Sequence, residues 1–240
     1  MSEVSQRGSS SIETPEYWWY RARSELLEAA LGEYVGTAHR LLDVGSADGP
    51  SVAWMRGDFE RFAVDLDPRG LTPGRDVCAS ATALPYPDAT FDVVGAFDVI
   101  EHCASEDAII GELARVLTPG GRLLVSVPAY QWAWTHHDVQ AGHHRRYTRP
   151  RLVAAVERAG LTVLRSTHGF AGVFPFFAAE RLARRVRPAA PREGSSLPQV
   201  SKPMDRLLTG LSSREAKLLR GHDLPFGSSV LLAAERPPSR

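Results

Sequence analysis

The sequence predicts an α/β protein built on an open sheet with helices on both faces. Two observations carry that prediction. Residues 40–50, RLLDVGSADGP, read as a short apolar strand, a tight turn of small residues and a helix opening at Pro50. Proline suits a first helical position, because its missing N–H would have no partner there. Such a strand-turn-helix is the ligand-binding corner of a doubly wound sheet. Next, residues 61–65 form a second apolar strand that ends in Asp65, 20 residues beyond Gly45. At that spacing a carboxylate can accept two hydrogen bonds from a ribose. This points to a nucleoside ligand without choosing between NAD and others.

Composition sets the bounds. The 240 residues suffice for one domain with a modest excess, and 43% hydrophobic with 23% charged residues is the balance of a globular protein. Lys+Arg and Asp+Glu are both 28, so there is no global basic field to attract nucleic acid. The N-terminus lacks an apolar leader, and the longest apolar run, residues 170–179, is too short to span a bilayer. A cytoplasmic location is expected. Cys78 and Cys103 sit in or beside apolar strands and are expected to be reduced core thiols.

The glycine spacing separates the ligands. A dinucleotide turn, G-x-G-x-x-G, would need glycines at 45, 47 and 50, where the chain has Gly45, Ala47 and Pro50. The frame D-x-G-x-G-x-G fits better, as Asp43, Gly45, Ala47 and Gly49. Downstream come residues 76–86, DVCASATALPY, then 88–94, DATFDVV, and 113–121, LARVLTPGG. Together these segments resemble the class I S-adenosylmethionine-dependent methyltransferases, over about residues 38–168 and the last strand. The resemblance implies a Rossmann-like, seven-stranded, mostly parallel sheet in the order 3-2-1-4-5-7-6, with an antiparallel last strand. It also implies S-adenosylmethionine as cofactor. Asp43, Gly45, Ser46 and Gly49 would wrap it, with Asp65, Leu66, Ser80 and Ala81 at its nucleoside end and backbone around Phe97 at its methionine end. Two residues depart from the family pattern: Ala47 replaces the middle glycine, and Ser80 replaces an acid that bonds the adenine. Backbone at Ala81, or Asp76, is the expected substitute.

The remaining elements follow in order. Residues 1–13 are Ser-rich and polar and are expected to be a disordered tail. Residues 14–37 read as a helix capped by Thr14 and Pro15. The Tyr17–Tyr20 aromatic cluster at its start fits either ordinary core packing or a lid over an acceptor pocket, with Tyr17 and Trp19 touching substrate. Residues 38–240 form the main domain, with a helical insertion or linker at about 170–225. Strand four delivers Asp98 to His102, and His102 reads either as structural or as facing the reaction cleft. Ser105 caps the next helix, and residues 119–121, PGG, turn it into strand five. A helix at 148–159, a strand at 161–167, an apolar then Arg-rich segment at 170–187, a Pro/Ser-rich loop at 188–203, a helix at 204–220 and a strand at 228–235 complete the chain. For 170–187 a buried helix start with a solvated end is favoured over a substrate cap or a lipid-touching surface.

The loop at 129–147 is the chemical centre of gravity. Five of the eight histidines lie between 102 and 144, and a loop leaving the carboxyl end of a sheet strand faces the ligand crevice. Its pattern, His-Asp and then Gly-His-x-Arg-Arg-Tyr, resembles a bacterial methyltransferase subgroup. Candidate bases are His102, His137 and His143. His143 is favoured because Gly142 gives its backbone freedom, with Asp138 or Tyr147 as orienting partner. Tyr130, Trp134 and Tyr147 are expected to touch the acceptor, and Arg145 and Arg146 to hold an anionic one. No zinc spacing is present and no cysteine lies in the loop, so a hydrogen-bonding site without metal is expected. The acceptor reads as a hydroxyl or amine of a small metabolite, natural product or glycan. The rival readings are an NAD-dependent dehydrogenase, a cofactor-binding regulator without catalysis, and methylation of RNA or protein. The oligomeric state is left open.

Overall fold

The computed structural model describes residues 16–45, 53–186 and 200–238. The expected tail at 1–13, the cap at Thr14 and Pro15, the turn residues Ser46, Ala47 and Gly49, the helix opening at Pro50, and most of the 188–203 loop lie outside the described residues.

Seven strands form one sheet: β1 (Arg40–Val44), β2 (Glu60–Asp65), β3 (Val77–Cys78), β4 (Phe91–Phe97), β5 (Leu117–Pro128), β6 (Thr162–Gly169) and β7 (Ser229–Glu235). Their order is β3-β2-β1-β4-β5-β7-β6. The pairs β1–β2, β1–β4, β2–β3 and β4–β5 are parallel, and β7 runs antiparallel between β5 and β6. This is the topology that the family resemblance implied. The chain reverses its winding between β1 and β4, and in open α/β sheets that switch point is where a crevice opens at the carboxyl ends of the strands.

The helices are α1 (Trp18–Leu31), α2 (Glu106–Val116), the short α3 (His136–Gln140), α4 (Arg149–Arg158), α5 (Phe174–Val186) and α6 (Lys202–Leu219). Strands covered on both faces read as continuous apolar runs, and β1 alternates its side chains between two cores. Leu42 and Val44 pack with Val94, Val125, Ile109 and Leu113 of α2, and Val156 of α4. Leu41 packs on the other face with Val93, Leu124, Leu27 and Leu31 of α1, and Leu219 of α6. So α1 and α6, at two ends of the chain, form one layer. The segment at 14–37 is built into the core through its second half, and only its aromatic first turns remain available to the crevice. The 170–225 stretch divides in the same way, since α6 is a core helix. On α5, Phe176 and Leu182 are exposed. Among the described residues no helix is long and apolar enough to cross a membrane.

Several boundaries differ from the sequence reading. Helix α1 starts at Trp18, because Tyr17 at its N-cap is extended (φ −62°, ψ 134°). Among the described residues no helix follows β1, and residues 53–59 form turns and coil. Strand β5 starts at Leu117 instead of after the PGG turn, for Leu117 pairs with Phe91 and the register shifts before Val93 meets Arg122. Cys78 is exposed and Cys103 half-buried, so the first is no core thiol. It lies in the two-residue strand β3 at the sheet edge.

Asp92 bolts the start of the sheet together. Its carboxylate accepts the N–H groups of His39 (2.8 Å) and Arg40 (3.0 Å) and the Thr118 hydroxyl (3.3 Å). Burial works to raise this carboxyl, and the N–H donors overcome it and hold it below the ordinary value. The Asp92→Ala protein should lose about 1–3 kcal/mol of stability in urea unfolding at neutral pH. A folded-state value below the unfolded one stabilises at pH above the usual carboxylate range, near ~3.9. That stabilisation fades as pH falls through the folded value, so the deficit of the variant should shrink on acidification.

Candidate functional site

At the switch point Gly45 turns with φ +78°, a conformation open to glycine and strained for other residues. A Cβ at Gly45 would lie 2.3 Å from Val99 Cγ2. The turn after β1 therefore touches the loop after β4. Asp65 ends β2, and its Oδ1 accepts the Asp67 N–H at 2.8 Å. Leu66 beside it is 74% exposed. The Ser80 hydroxyl turns back to Thr82 Oγ1 (2.8 Å) and accepts the Thr82 N–H, while Ala81 is half-buried next to it.

Two expected ligand contacts are braces instead. Asp43 is 1% exposed, and its Oδ2 accepts Arg61 Nη2 at 2.8 Å. The pair ties β1 to β2, so Asp43 supports the turn from beneath. Asp76 accepts the N–H groups of Ala63 and Thr72 and the Arg75 guanidinium, which consumes the carboxylate that adenine would need. The Phe97 ring packs edge-on against Trp54 in the core, leaving only its backbone for the crevice.

Beyond β4 the backbone is strained. Asp98 has φ +57°, donates its N–H to Ser126 O (2.8 Å), and pairs through Oδ2 with Arg23 Nη2 of α1 at 2.7 Å. The Arg23 guanidinium also lies over the Trp19 ring, which stacks on Phe170. A single turn, Ile100–His102, then presents Glu101 inward and His102 outward.

The loop after β5 meets that turn. Gly142, at φ +77°, swings His143 back so that its N–H reaches Asp138 O (2.9 Å). The His143 ring sets Nδ1 2.9 Å from Asp138 Oδ1. Arg146 Nε donates to the same oxygen at 2.8 Å, and the Thr135 N–H to Oδ2 at 2.8 Å. Burial works to raise Asp138, and the His143 and Arg146 donors outweigh it, holding the carboxyl well below the usual range. A carboxylate acceptor fixes the proton on Nδ1 and leaves Nε2 with a lone pair. The rings of His102 and His143 meet edge to face, 4.6 Å between centroids. Loss of solvation and the facing His143 push His102 down to about 4. Burial and the nearby Asp98 hold Glu101 well above the usual carboxyl range.

Of the expected acceptor residues, His143 and His102 come together, and His137 is exposed on α3. Arg145, Arg146 and Tyr147 are corrections. Arg145 spends its guanidinium on the carbonyls of Cys103 (2.7 Å) and Ala104, which the short turn leaves unpaired. Arg146 is 6% exposed and closes on Asp138 and Ala129 O. Tyr147 is fully buried in the core under α4. Arg146 and Tyr147 are thus buried, and Arg145 is half-buried. Tyr130, half-buried, stacks on His168 and Trp132, Trp134 is half-buried, and Tyr17 leans on Trp18 and Tyr20. Glu101 was not singled out by sequence reasoning, although it directly precedes His102; only the fold shows its burial.

A reversed open sheet with a glycine turn, a strand-end acid and a cluster of polar loop residues beyond β4 and β5 defines a nucleoside-cofactor-binding α/β protein. Comparison with known proteins narrows this. The methyltransferase-domain family matches residues 16–166, and the chain belongs to it, as a class I S-adenosylmethionine-dependent methyltransferase. A probable S-adenosylmethionine-dependent methyltransferase of Mycolicibacterium smegmatis is 33% identical over 164 residues, 62% of this chain and 61% of that protein. The 27-O-demethylrifamycin SV methyltransferase of Amycolatopsis mediterranei is 34% identical over 103 residues, 35% of this chain and 36% of its own. The matched stretches thus span under two thirds of these relatives. A Burkholderia thailandensis 1,6-didemethyltoxoflavin-N1-methyltransferase, solved with S-adenosylhomocysteine, superposes with a TM-score of 0.52 at 17% identity, covering 95% of this chain and 84% of that one. It shows the fold alone.

The residues present fit the cofactor. The Gly45 turn has no room for a side chain, Asp65 stands at the end of β2, and the Leu66 side chain is open beside it. Replacing Gly45 by Ala adds a clash with Val99 to a strained backbone, roughly 1–2 kcal/mol for the left-handed conformation alone. Calorimetric titration of Gly45→Ala with S-adenosylhomocysteine should show affinity lowered about tenfold or more, with circular dichroism unchanged.

Proposed function

We propose that this protein transfers the methyl group of S-adenosylmethionine to a hydroxyl or amine of a small molecule: a metabolite, a natural product or a glycan. The observation that carries the reading is the Asp138–His143 pair, set against His102 in the crevice beside the Gly45 turn. The cofactor, when bound, supplies an activated sulfonium methyl. The acceptor atom forms its bond to that carbon as the sulfur–carbon bond breaks, and the acceptor loses a proton. Asp65 would take the ribose hydroxyls, and the Gly45 turn would admit the methionine part. Deprotonation depends on His143, whose Nδ1 is held by Asp138 so that Nε2 stands ready. Alignment of the acceptor supplies the rest of the acceleration. The aromatic group of Tyr130, Trp132 and Phe174 at the exits of β5 and β6 gives an apolar wall for a ring-bearing acceptor. The rifamycin-modifying relative supports a small-molecule acceptor.

Two variants test this. Asp65→Ala should weaken S-adenosylhomocysteine by about 2–4 kcal/mol, through loss of two charge-assisted hydrogen bonds; calorimetry showing wild-type affinity would refute the ribose assignment. His143→Ala should bind S-adenosylhomocysteine nearly as wild type while single-turnover methyl transfer slows about 100-fold. An undiminished rate would remove His143 from the reaction.

A further inference from the structure

Glu101 is 1% exposed, and neither of its carboxylate oxygens meets a hydrogen-bond donor among the described residues. An unsatisfied buried carboxyl is costly, and such a group in a native fold calls for an explanation. Its surroundings supply one. A carboxylate oxygen of Glu101 and one ring nitrogen each of His102 and His143 lie within 4.8 Å of one another. His143 carries a further mark of a ligand: its Nδ1 is held by the buried Asp138. Metal-binding histidines characteristically donate their second nitrogen to a carboxylate in this way, which fixes the tautomer and raises ligand basicity. His102 is exposed, so one side of the cluster is open to solvent.

We propose that Glu101, His102 and His143 bind one divalent cation of the zinc class. Two imidazoles and one carboxylate form a three-ligand set that leaves a coordination position open on such ions. Magnesium and calcium prefer oxygen ligands throughout. The proposal rests on the methyl-transfer reading for what occupies the open position, and it deepens that reading by assigning a hydroxyl-bearing acceptor. A cation there lowers the pKa of a coordinated hydroxyl. The proton leaves to solvent, the oxygen takes the methyl group as the sulfur–carbon bond breaks, and the neutral thioether departs. His143 then acts on the acceptor's proton through the cation. The sequence could not show this set, because its ligands come from two loops 41 residues apart, His102 to His143.

The full-length chain, stripped with a chelator and dialysed, is titrated with zinc chloride by calorimetry and elemental analysis. Cobalt chloride serves as a second probe, read by its visible absorption. One cation per chain is expected. His102→Ala and His143→Ala should each weaken binding at least about tenfold, with circular dichroism unchanged. Asp138→Asn should weaken it about 10–100-fold. His222→Ala, remote from the cluster, should bind as wild type. No saturable uptake, or uptake unchanged in both His102→Ala and His143→Ala, overturns the proposal. S-adenosylhomocysteine is titrated in parallel on the same wild-type protein. Binding of the nucleoside without the cation refutes the metal site and leaves methyl transfer standing; binding of the cation without the nucleoside does the reverse.

Discussion

The crevice depends on one buried carboxylate. Asp138 is 0% exposed, and a charge in that position is tolerated only where donors converge on it. Four do: the His143 ring, the Arg146 guanidinium, the Thr135 N–H and the Thr135 hydroxyl. They come from the turn after α3, from the segment that bridges in parallel to Ala129 just past β5, and from the start of α3 itself. The loop can therefore close in one arrangement, and that arrangement sets the His143 ring against His102. The brace extends outward, since Arg146 also donates to Ala129 O and Arg181 of α5 donates to the Thr135 hydroxyl. Removing the carboxylate would strand the buried Arg146 charge, a defect of about 3–5 kcal/mol by general experience with such pairs.

A second constraint acts on the backbone. Asp98, Tyr130 and Phe170 all have positive φ, at 57°, 63° and 63°, and they follow the ends of β4, β5 and β6. For residues other than glycine this conformation costs on the order of 1–3 kcal/mol and persists where the surroundings over-determine it. Each is held. Asp98 is tied to Ser126 and Arg23, Tyr130 to Tyr147 and His168, and Phe170 by its stack on Trp19. Three sharp exits on one edge of the sheet turn three loops toward the same space. Helix α1 joins two of them, through Arg23 at β4 and Trp19 at β6, so the N-terminal helix is coupled to the crevice by charge and by stacking.

Most of the fold was legible in the chain because it depends on local rules. The apolar runs of β1 and β4, the Ser105 cap, which accepts the Ala108 N–H, and the Thr148 cap, which accepts the Arg151 N–H, each follow from a few neighbouring residues. The site was harder to read. Polar residues in a crevice loop look alike in sequence, whether they meet ligand or protein. Arg145 and Arg146 read as anion holders and turned out to satisfy carbonyls and a carboxylate. Tyr147 read as a contact for substrate and proved to be core. Asp76 was expected as a stand-in for an adenine-binding acid and is consumed by backbone N–H groups. Some deciding partners lie on other elements, as Cys103 does for Arg145 and Ala63 of β2 for Asp76, while others, such as Asp138 for Arg146, lie within the same loop and are brought together only by its folding.

By itself the sequence determined the sheet class, the position of the switch point and the identity of the glycine turn, because hydrophobic period and turn chemistry act over a few residues. It also carried the family, through motifs that survive as short contiguous strings. Tertiary structure alone decided which polar groups are neighbours. Burial of Glu101, the tautomer of His143 and the approach of His102 to it depend on two loops meeting across the ends of β4 and β5, and that meeting is set by the parallel pairing of these two strands across the helix that joins them. No spacing within either loop encodes it, since the distance between them is fixed by the packing of the sheet and its helices.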